Sequence, residues 1–145
     1  MELNSYDRDY HQWLTEAATT LNAGPWNDLD VANLVDELDA LGKSQKRAIE
    51  SYLKILLLHL LKWTFRPGMR SGSRRSSIRN AHLGICDRIE ESPSLQDYPA
   101  TCLKKCYRVA RANAADETGL SIDQFSANCP FALADILRED FLPQD

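Results

Sequence analysis

The stretch 53-LKILLLHLLKW-63 forms the middle of a longer segment, Lys46–Phe65, that decides the fold of this 145-residue chain. Its apolar residues fall on nearly every side of a 3.6-residue spiral, and only Lys54, Leu58 and Lys62 share one thin line. A helix that is apolar almost all round must be surrounded by other elements. The segment is too short and too charged to cross a bilayer, which takes about 20 mostly apolar residues. It is therefore predicted to be the buried central helix, about residues 45–65, of an all-α bundle.

Two helices are predicted before the central one, from helical spacing of apolar residues and from end signals. The first begins at a cap residue, Asp7, runs to about Leu21 and is stopped by Gly24-Pro25. Asp30 caps the second helix and Gly42 closes it, after which Ser44 caps the central helix. The residues predicted to face inward on the second helix are Val31, Leu34, Val35, Leu38 and Leu41.

Three helices are predicted after the central one, which ends at Arg66-Pro67-Gly68 because proline forbids a regular helix there. The fourth spans Arg74–Glu91, with Ile78, His82, Ile85 and Ile89 on one stripe. A tight Ser92-Pro93-Ser94 connection leads to the fifth, which ends near Glu117 before Gly119, with Pro99 in its first turn or at a kink. A short sixth helix starts at Pro130, and Phe141-Leu142 tucks back. No useful period-2 run occurs, so the chain is predicted to be a single, compact, all-α domain spanning residues 1–145.

Charge is distributed unevenly along the chain, whose net charge is −4. Residues 1–50 carry −6 and residues 87–145 carry −5, whereas residues 51–86 carry +7 and no carboxylate. We call residues 66–82 the basic segment; its arginines, Arg66, Arg70, Arg74, Arg75 and Arg79, form a candidate docking surface. A basic segment between acidic ones indicates either internal pairing with the acidic second helix, a solvated loop, or an external partner.

The function that these features favour is a non-catalytic interaction or regulatory module, which docks an unknown protein partner through the basic segment. The alternative is a nucleic-acid-associated protein, because arginine forks grip phosphates. Against it stand the acidic pI of about 5.4 and the lack of interleaved aromatics.

A hydrolytic enzyme around His59, with Lys62 as a neighbouring cation, is a third hypothesis. A core histidine bonded to a carboxylate such as Asp36 or Glu37 explains His59 better. No common catalytic motif occurs, so no catalytic residue and no cofactor are expected.

Two groups of residues raise the question of a metal, and for both a structural role is the better interpretation. The acidic residues Asp28, Asp30, Asp36, Glu37 and Asp39 do not all project to one point from a helix. In a hairpin of the fourth and fifth helices, His82, Cys86, Cys102 and Cys106 could lie at matching heights and form a tetrahedral zinc site. Buried cysteines commonly act as small apolar residues, so free thiols are predicted. With few cysteines and no signal peptide, a reducing cytoplasm and no membrane association are expected.

Motifs along nearly the whole chain resemble those of the bacterial family catalogued as domain of unknown function 29. They include Tyr6-Asp7 with Asp9-Tyr10 and Trp13, Leu41-Gly42-Lys43-Ser44, 57-LLHLLKW-63, Ser92-Pro93-Ser94-Leu95, Glu117-Thr118-Gly119-Leu120 and Cys129-Pro130-Phe131. The resemblance implies a compact helical domain in a bacterial cytoplasm, and it implies no activity, cofactor or site. Two positions depart from the pattern: Arg74 stands where a tryptophan is expected, and Ala81-His82 where Gln-Arg is usual.

Overall fold

The computed structural model describes residues 5–144, and within that range it contains helices and no strands. The helices, numbered here in chain order, are α1 (Ser5–Arg8), α2 (Tyr10–Ala23), α3 (Val31–Phe65), α4 (Gly72–Glu91), α5 (Tyr98–Thr118) and α6 (Leu133–Ile136). Short 3-10 turns connect them at Trp26–Asp28, Pro67–Met69, Pro93–Leu95 and Ile122–Gln124. The all-α class and the number of helices are confirmed.

The chain divides into two units, residues 1–43 and residues 44–145. Helix α3 contributes its first part to one unit and its second part to the other. That a single domain spans 1–145 stays a prediction. In the second unit, α3, α4 and α5 pack together.

The second part of α3 is the buried central helix that the sequence predicts. Leu53, Leu57, Leu60 and Leu61 are fully buried, and Leu56 is 1% exposed. Side chains from α4, α5 and the C-terminal segment surround them, among them Ile78, Ile85, Ala110, Ala114, Phe125 and Ile136. Phe141 and Leu142 pack against the same core, so the predicted return of the chain end is confirmed.

The prediction of a separate second helix is wrong, because α3 runs without interruption through Gly42 and Ser44. A glycine inside a helix costs only about 1 kcal/mol relative to alanine. No proline stands nearby to remove a backbone donor. The long helix therefore tolerates Gly42, and Ser44 is an interior residue rather than a cap.

The first part of α3 also differs from the prediction in its burial. Val31, Val35, Leu38 and Leu41 were predicted to face inward, but they are 50–67% exposed. Among the described residues of this unit, Tyr6 of α1 and Tyr10 of α2 contact Glu37, and Trp13 of α2 contacts Asp30, just before α3. Trp13 is the one buried side chain among the described residues of this unit.

Helix ends agree with the predictions where a proline or glycine marks them, and shift by a few residues elsewhere. Gly24 and Gly119, both with positive φ, follow α2 and α5, and Pro99 lies in the first turn of α5. The N-cap of α2 is Asp9 rather than Asp7, since the Asp9 carboxylate accepts a hydrogen bond from the backbone N–H of Gln12. Helix α4 starts at Gly72 with Ser71 as its cap, two residues before the predicted start. The last helix starts at Leu133 and not at Pro130.

Candidate docking surface

The first arginines of the basic segment bind the carbonyl groups at helix C-termini. The Arg66 Nη2 donates a hydrogen bond to the backbone oxygen of Thr118 in the last turn of α5. The Arg70 Nε donates to the backbone oxygen of Trp63 at 2.9 Å, in the last turn of α3. Because the last four carbonyls of a helix have no partner within it, and because that end carries partial negative charge, both arginines stabilise the fold.

Trp63 joins the basic segment to α3 through its ring. The guanidinium carbon of Arg70 lies 5.2 Å from the ring centroid, and that of Arg75 lies 5.6 Å from it. Such cation–π contacts contribute about 0.5–1 kcal/mol at exposed sites and more when the groups are desolvated. The indole is 6% exposed. It therefore holds the start of α4 against the end of α3.

The charge of Arg74 acts on the partly buried ring of His59. The Arg74 Nε and Nη1 and the His59 Nδ1 are buried, and they have no hydrogen-bond partner in the described part of the chain. The pKa of His59 lies below its ordinary value because burial disfavours the charged ring, and Lys62 and Arg74 add to that shift while Glu117 opposes it. The ring is therefore neutral near pH 7. Within residues 5–144, no hydrogen bond joins the His59 Nδ1 to Asp36, Glu37 or any other carboxylate.

Arg79 is an exposed arginine of the basic segment that forms an ion pair on the surface. Its side chain is 68% exposed and lies 3.5 Å from the equally exposed Asp140 carboxylate. Exposed pairs of this kind contribute about 0–1 kcal/mol. Arg79 can therefore exchange Asp140 for a carboxylate of another molecule at little cost.

A groove of about 320 Å³ lies beside α4 and includes the last part of the basic segment. We call it the α4 groove. Its apolar lining consists of Leu56, Ile78, Leu83, Ile136, Phe141 and Leu142. Its charged lining consists of Arg75, Arg79, Arg138, Glu139 and Asp140. An apolar floor with a few charged groups at the edge is typical of sites that receive one or two side chains of a ligand.

The members of the hypothetical zinc set contact other groups of the fold. The His82 ring lies 2.7 Å from the backbone oxygen of Leu137 through Nε2, and Cys86 contacts the same ring at 3.6 Å. Because a carbonyl oxygen can only accept, Nε2 carries the proton and offers no lone pair to a metal. Cys102 and Cys106 contact the backbone oxygens of Pro99 and Glu50 instead. Across residues 5–144 no three His, Cys, Asp or Glu side chains are arranged to hold a metal ion, and the four cysteines are free thiols.

Two of the acidic residues that raised the question of a metal, Asp30 and Glu37, are hydrogen-bond acceptors inside the first unit. The Glu37 carboxylate accepts hydrogen bonds from the hydroxyls of Tyr6 and Tyr10, which lower its pKa. The Asp30 carboxylate accepts from the side chains of Asn33 and Trp13, and its pKa is lowered mainly by Asn33. These contacts explain the position of both acids without a metal.

A second cation-lined groove on α5 was missed by the sequence analysis. It has a volume of about 690 Å³, and its lining includes Lys104, Lys105, Arg108 and Arg111 and no carboxylate. Lys105 pairs with Glu50 at 3.2 Å, and Arg111 donates to the backbone oxygens of Ile122 and Phe125. The signal was present in the sequence, because Lys104, Arg108 and Arg111 follow the spacing of one helix face. The acidic net charge of residues 87–145 obscured it.

Comparison with known proteins identifies one family and no individual relative. The model of a family described as a domain of unknown function, DUF29, matches residues 5–142. No curated protein and no solved structure matches the chain. Within residues 5–144, none of the helices has the length and apolar character that a membrane span requires.

Proposed function

Because this chain belongs to the DUF29 family, whose description names no activity, we propose from its own surface that it is a non-catalytic protein-interaction module. It acts in the cytoplasm and docks a partner protein through the exposed part of the basic segment. The occupant of the α4 groove is a short segment of that partner, with an apolar side chain followed or preceded by carboxylates. The observation that carries the proposal is the position of Arg75 and Arg79 at the edge of an apolar groove.

The arginines of the basic segment divide into two groups by their contacts. Arg66 and Arg70 bind helix-terminal carbonyls, and two of the Arg74 nitrogens are buried. Arg75 is exposed and lies over the Trp63 ring, and Arg79 has an exposed ion pair. The fold thus leaves two guanidinium groups able to bind a ligand. They are four residues apart on α4 and therefore on the same face of the helix.

The lining of the α4 groove favours a protein segment over a nucleic acid. Leu83, which is 44% exposed, and the partly buried Phe141 and Leu142 give the groove an apolar surface that is still open to solvent. Covering such a surface with an apolar side chain is favourable, whereas a sugar–phosphate backbone gains little from it. A segment with alternating apolar and acidic residues complements both parts of the lining.

The experiment that tests this proposal is selection from a random peptide library displayed on phage, with the full chain immobilised. We expect enrichment of peptides that combine aromatic or aliphatic residues with Asp or Glu. The double variant Arg75→Glu/Arg79→Glu should lose at least about tenfold in affinity for them, since each charge-assisted hydrogen bond contributes roughly 1.5–3 kcal/mol. The matched control is Lys104→Glu/Arg108→Glu, which makes the same change in charge on α5.

Three results would contradict the proposal. One is the absence of any enriched sequence, and another is an enriched sequence whose binding survives Arg75→Glu/Arg79→Glu. The third is salt-dependent binding of a single-stranded RNA that the same double variant abolishes. That result would assign the basic segment to phosphate recognition, in which each contact adds about 0.7 to the logarithmic salt slope for a single strand.

A further inference from the structure

The first unit contains a helical hairpin made of α2 and the first part of α3. The Trp13 Nε1 donates to Asp30 Oδ2 at 3.1 Å, and the Tyr10 hydroxyl donates to Glu37. Trp13, which follows Tyr10 in the sequence, thus contacts Asp30 just before α3, whereas Tyr10 contacts the later residue Glu37. The two helices therefore run antiparallel. Trp13 is 3% exposed and fills the space between them.

Both helices of the hairpin carry an apolar stripe to one side of the line along which they contact each other. We call the two stripes together the hairpin face. It consists of Tyr10, Leu14, Leu21, Val31, Val35, Leu38 and Leu41, which are between 40% and 67% exposed. Scattered exposed apolar residues are common on proteins, but contiguous ones mark binding sites.

The two stripes lie on the same side of the hairpin. Each residue advances about 100° round a helix. Seen from the N-terminus of α2, its stripe lies roughly 80° round the helix axis from Trp13. Seen from the N-terminus of α3, its stripe lies roughly 100° round the axis from the line of Asp30 and Glu37. The rotation has the same sense on both helices. For antiparallel helices, displacement in the same sense brings both stripes to one side. The hairpin therefore resembles half of a four-helix bundle, with its core face open to solvent.

The charges of the hairpin lie away from this face. No lysine or arginine occurs between Asp9 and Gly42. The exposed acids Glu16, Asp36 and Asp39 are about 90° or more from the stripe of their own helix. Two copies of the hairpin can therefore meet face to face with their carboxylates on the outer surfaces. A cationic partner helix that packed on the hairpin face would lie far from the carboxylates of the hairpin.

From this arrangement we propose that the hairpin face is the interface between two copies of this chain, which form a two-fold symmetric dimer through a four-helix bundle. The seven side chains expose on the order of 600 Å², which approaches the roughly 800 Å² that each partner buries in a standard interface. A hairpin of about 40 residues with one buried side chain also needs such support, because units of this size seldom have a sufficient core. The two-fold symmetry follows since the same surface is used by both copies.

Sedimentation-velocity ultracentrifugation of the full chain between about 1 and 100 μM tests the proposal, and a dimer is expected within this range, as for an interface of this size. The double variant Val35→Gln/Leu38→Gln should weaken dimerisation at least about 100-fold, because each copy loses two apolar contacts. Leu41→Glu provides an independent single replacement at a position that is 62% exposed. The matched control is Ile55→Gln, which replaces a similarly exposed residue of α3 outside the hairpin and should leave the dimer intact.

Several outcomes would overturn the dimer. A monomeric wild-type chain at 100 μM would do so, and a designed helix of leucine and lysine that binds this monomer, but not its Val35→Gln/Leu38→Gln form, would assign the face to a basic partner helix. Dimerisation that withstands both the double variant and Leu41→Glu would place the interface elsewhere. Loss of the dimer in the Ile55→Gln control would likewise contradict the hairpin face as the interface.

Discussion

Gly84 of α4 lies directly against the ring of Tyr52 on α3, so that a Cβ atom at Gly84 would be 2.5 Å from Tyr52 Cδ1. That distance is shorter than any real contact of a Cβ atom. The glycine, which lowers the helix propensity of α4, is therefore what allows α4 to approach the central helix at this level. The absence of a side chain here serves packing and not a turn.

Gly84→Ala is accordingly expected to destabilise the protein by about 1–3 kcal/mol, the usual cost of forcing extra atoms into a packed core. The matched control is Gly42→Ala, also inside a long helix but with no atom within 4 Å of its added Cβ. That replacement should stabilise by up to about 1 kcal/mol, as helix propensity predicts. Urea denaturation of both variants measures the difference. Stabilisation by both replacements would show that α4 does not approach Tyr52 as described.

Leu57→Ala should destabilise the protein by about 2–5 kcal/mol, the cost of emptying a packed leucine site. Leu57 is fully buried in the central helix, whereas Ile55, two residues earlier, is 44% exposed. Ile55→Ala is therefore the control, and it should cost much less. The urea midpoint of each variant gives the comparison, and equal losses would mean that the two residues share the same environment.

Glu50 should give the protein part of its resistance to acid. The Tyr98 hydroxyl donates to Glu50 Oε1 at 2.6 Å and Lys105 pairs with it at 3.2 Å, so the pKa of this carboxyl lies below its ordinary value of 4.5, chiefly because of Tyr98. A lowered pKa in the folded state contributes stability above pH 4.5, and this contribution is lost as the pH falls through the folded pKa. Glu50→Gln should cost about 1–3 kcal/mol at pH 7 and progressively less below pH 4.5.

Denaturation of the wild type and of Glu50→Gln at a series of pH values between about 7 and 3 measures this difference, over the interval in which carboxyl groups of lowered pKa titrate. The exposed pair Arg138–Asp135 provides the control, because its carboxylate is 46% exposed, and Asp135→Asn should change little at any pH. A constant difference between wild type and Glu50→Gln across the series would contradict the role assigned to the charge of Glu50.

Arg74→Met should stabilise the protein. The Arg74 Nε and Nη1 are buried and have no hydrogen-bond partner within residues 5–144, and desolvated donors of this kind cost about 1–3 kcal/mol each. A thioether of similar length keeps the packing of the side-chain stem and removes the charge.

The same replacement should raise the pKa of His59, because the Arg74 charge is one of the causes that lower it. An NMR titration of the His59 ring in wild type and Arg74→Met measures this shift, and Arg79→Met, at an exposed position, is the control for lost charge. A less stable Arg74→Met protein with an unchanged His59 would show that the guanidinium has partners of its own and lies apart from the ring.

Much of the second unit could be predicted from the sequence because its signals are strong and local. The all-round apolar stretch Leu53–Trp63 requires burial, and Pro67, Pro99 and Gly119 mark helix ends by backbone chemistry that tertiary structure cannot override. The apolar spacing around Leu38 is equally regular, but spacing shows only that the helix has an apolar face. Which neighbour covers it is a tertiary property, and the face stays exposed among the residues that the structure describes.

The docking surface could be predicted only in part for a related reason. The basic segment was visible as a charge pattern, yet sequence cannot tell which guanidinium groups bind backbone carbonyls, since every helix C-terminus offers acceptors at positions set by packing. The Arg66 side chain, for example, donates a hydrogen bond to the backbone oxygen of Thr118, which is 52 residues away in the sequence. The α4 groove depends on Ile136 and Phe141, which reach α4 only after the chain has folded. The partner of the groove stays a proposal.

The measurement that tests the proposed function most directly is an NMR titration of the ¹⁵N-labelled full chain with a peptide selected from the library. When the peptide binds, the backbone amide signals of residues 75–83 of α4 and 136–142 of the C-terminal segment should shift, because these two elements line the α4 groove. The signals of Arg108 and of Leu38 should stay in place. Shifts confined to residues 104–111 of α5, or to the hairpin of the first unit, would contradict it.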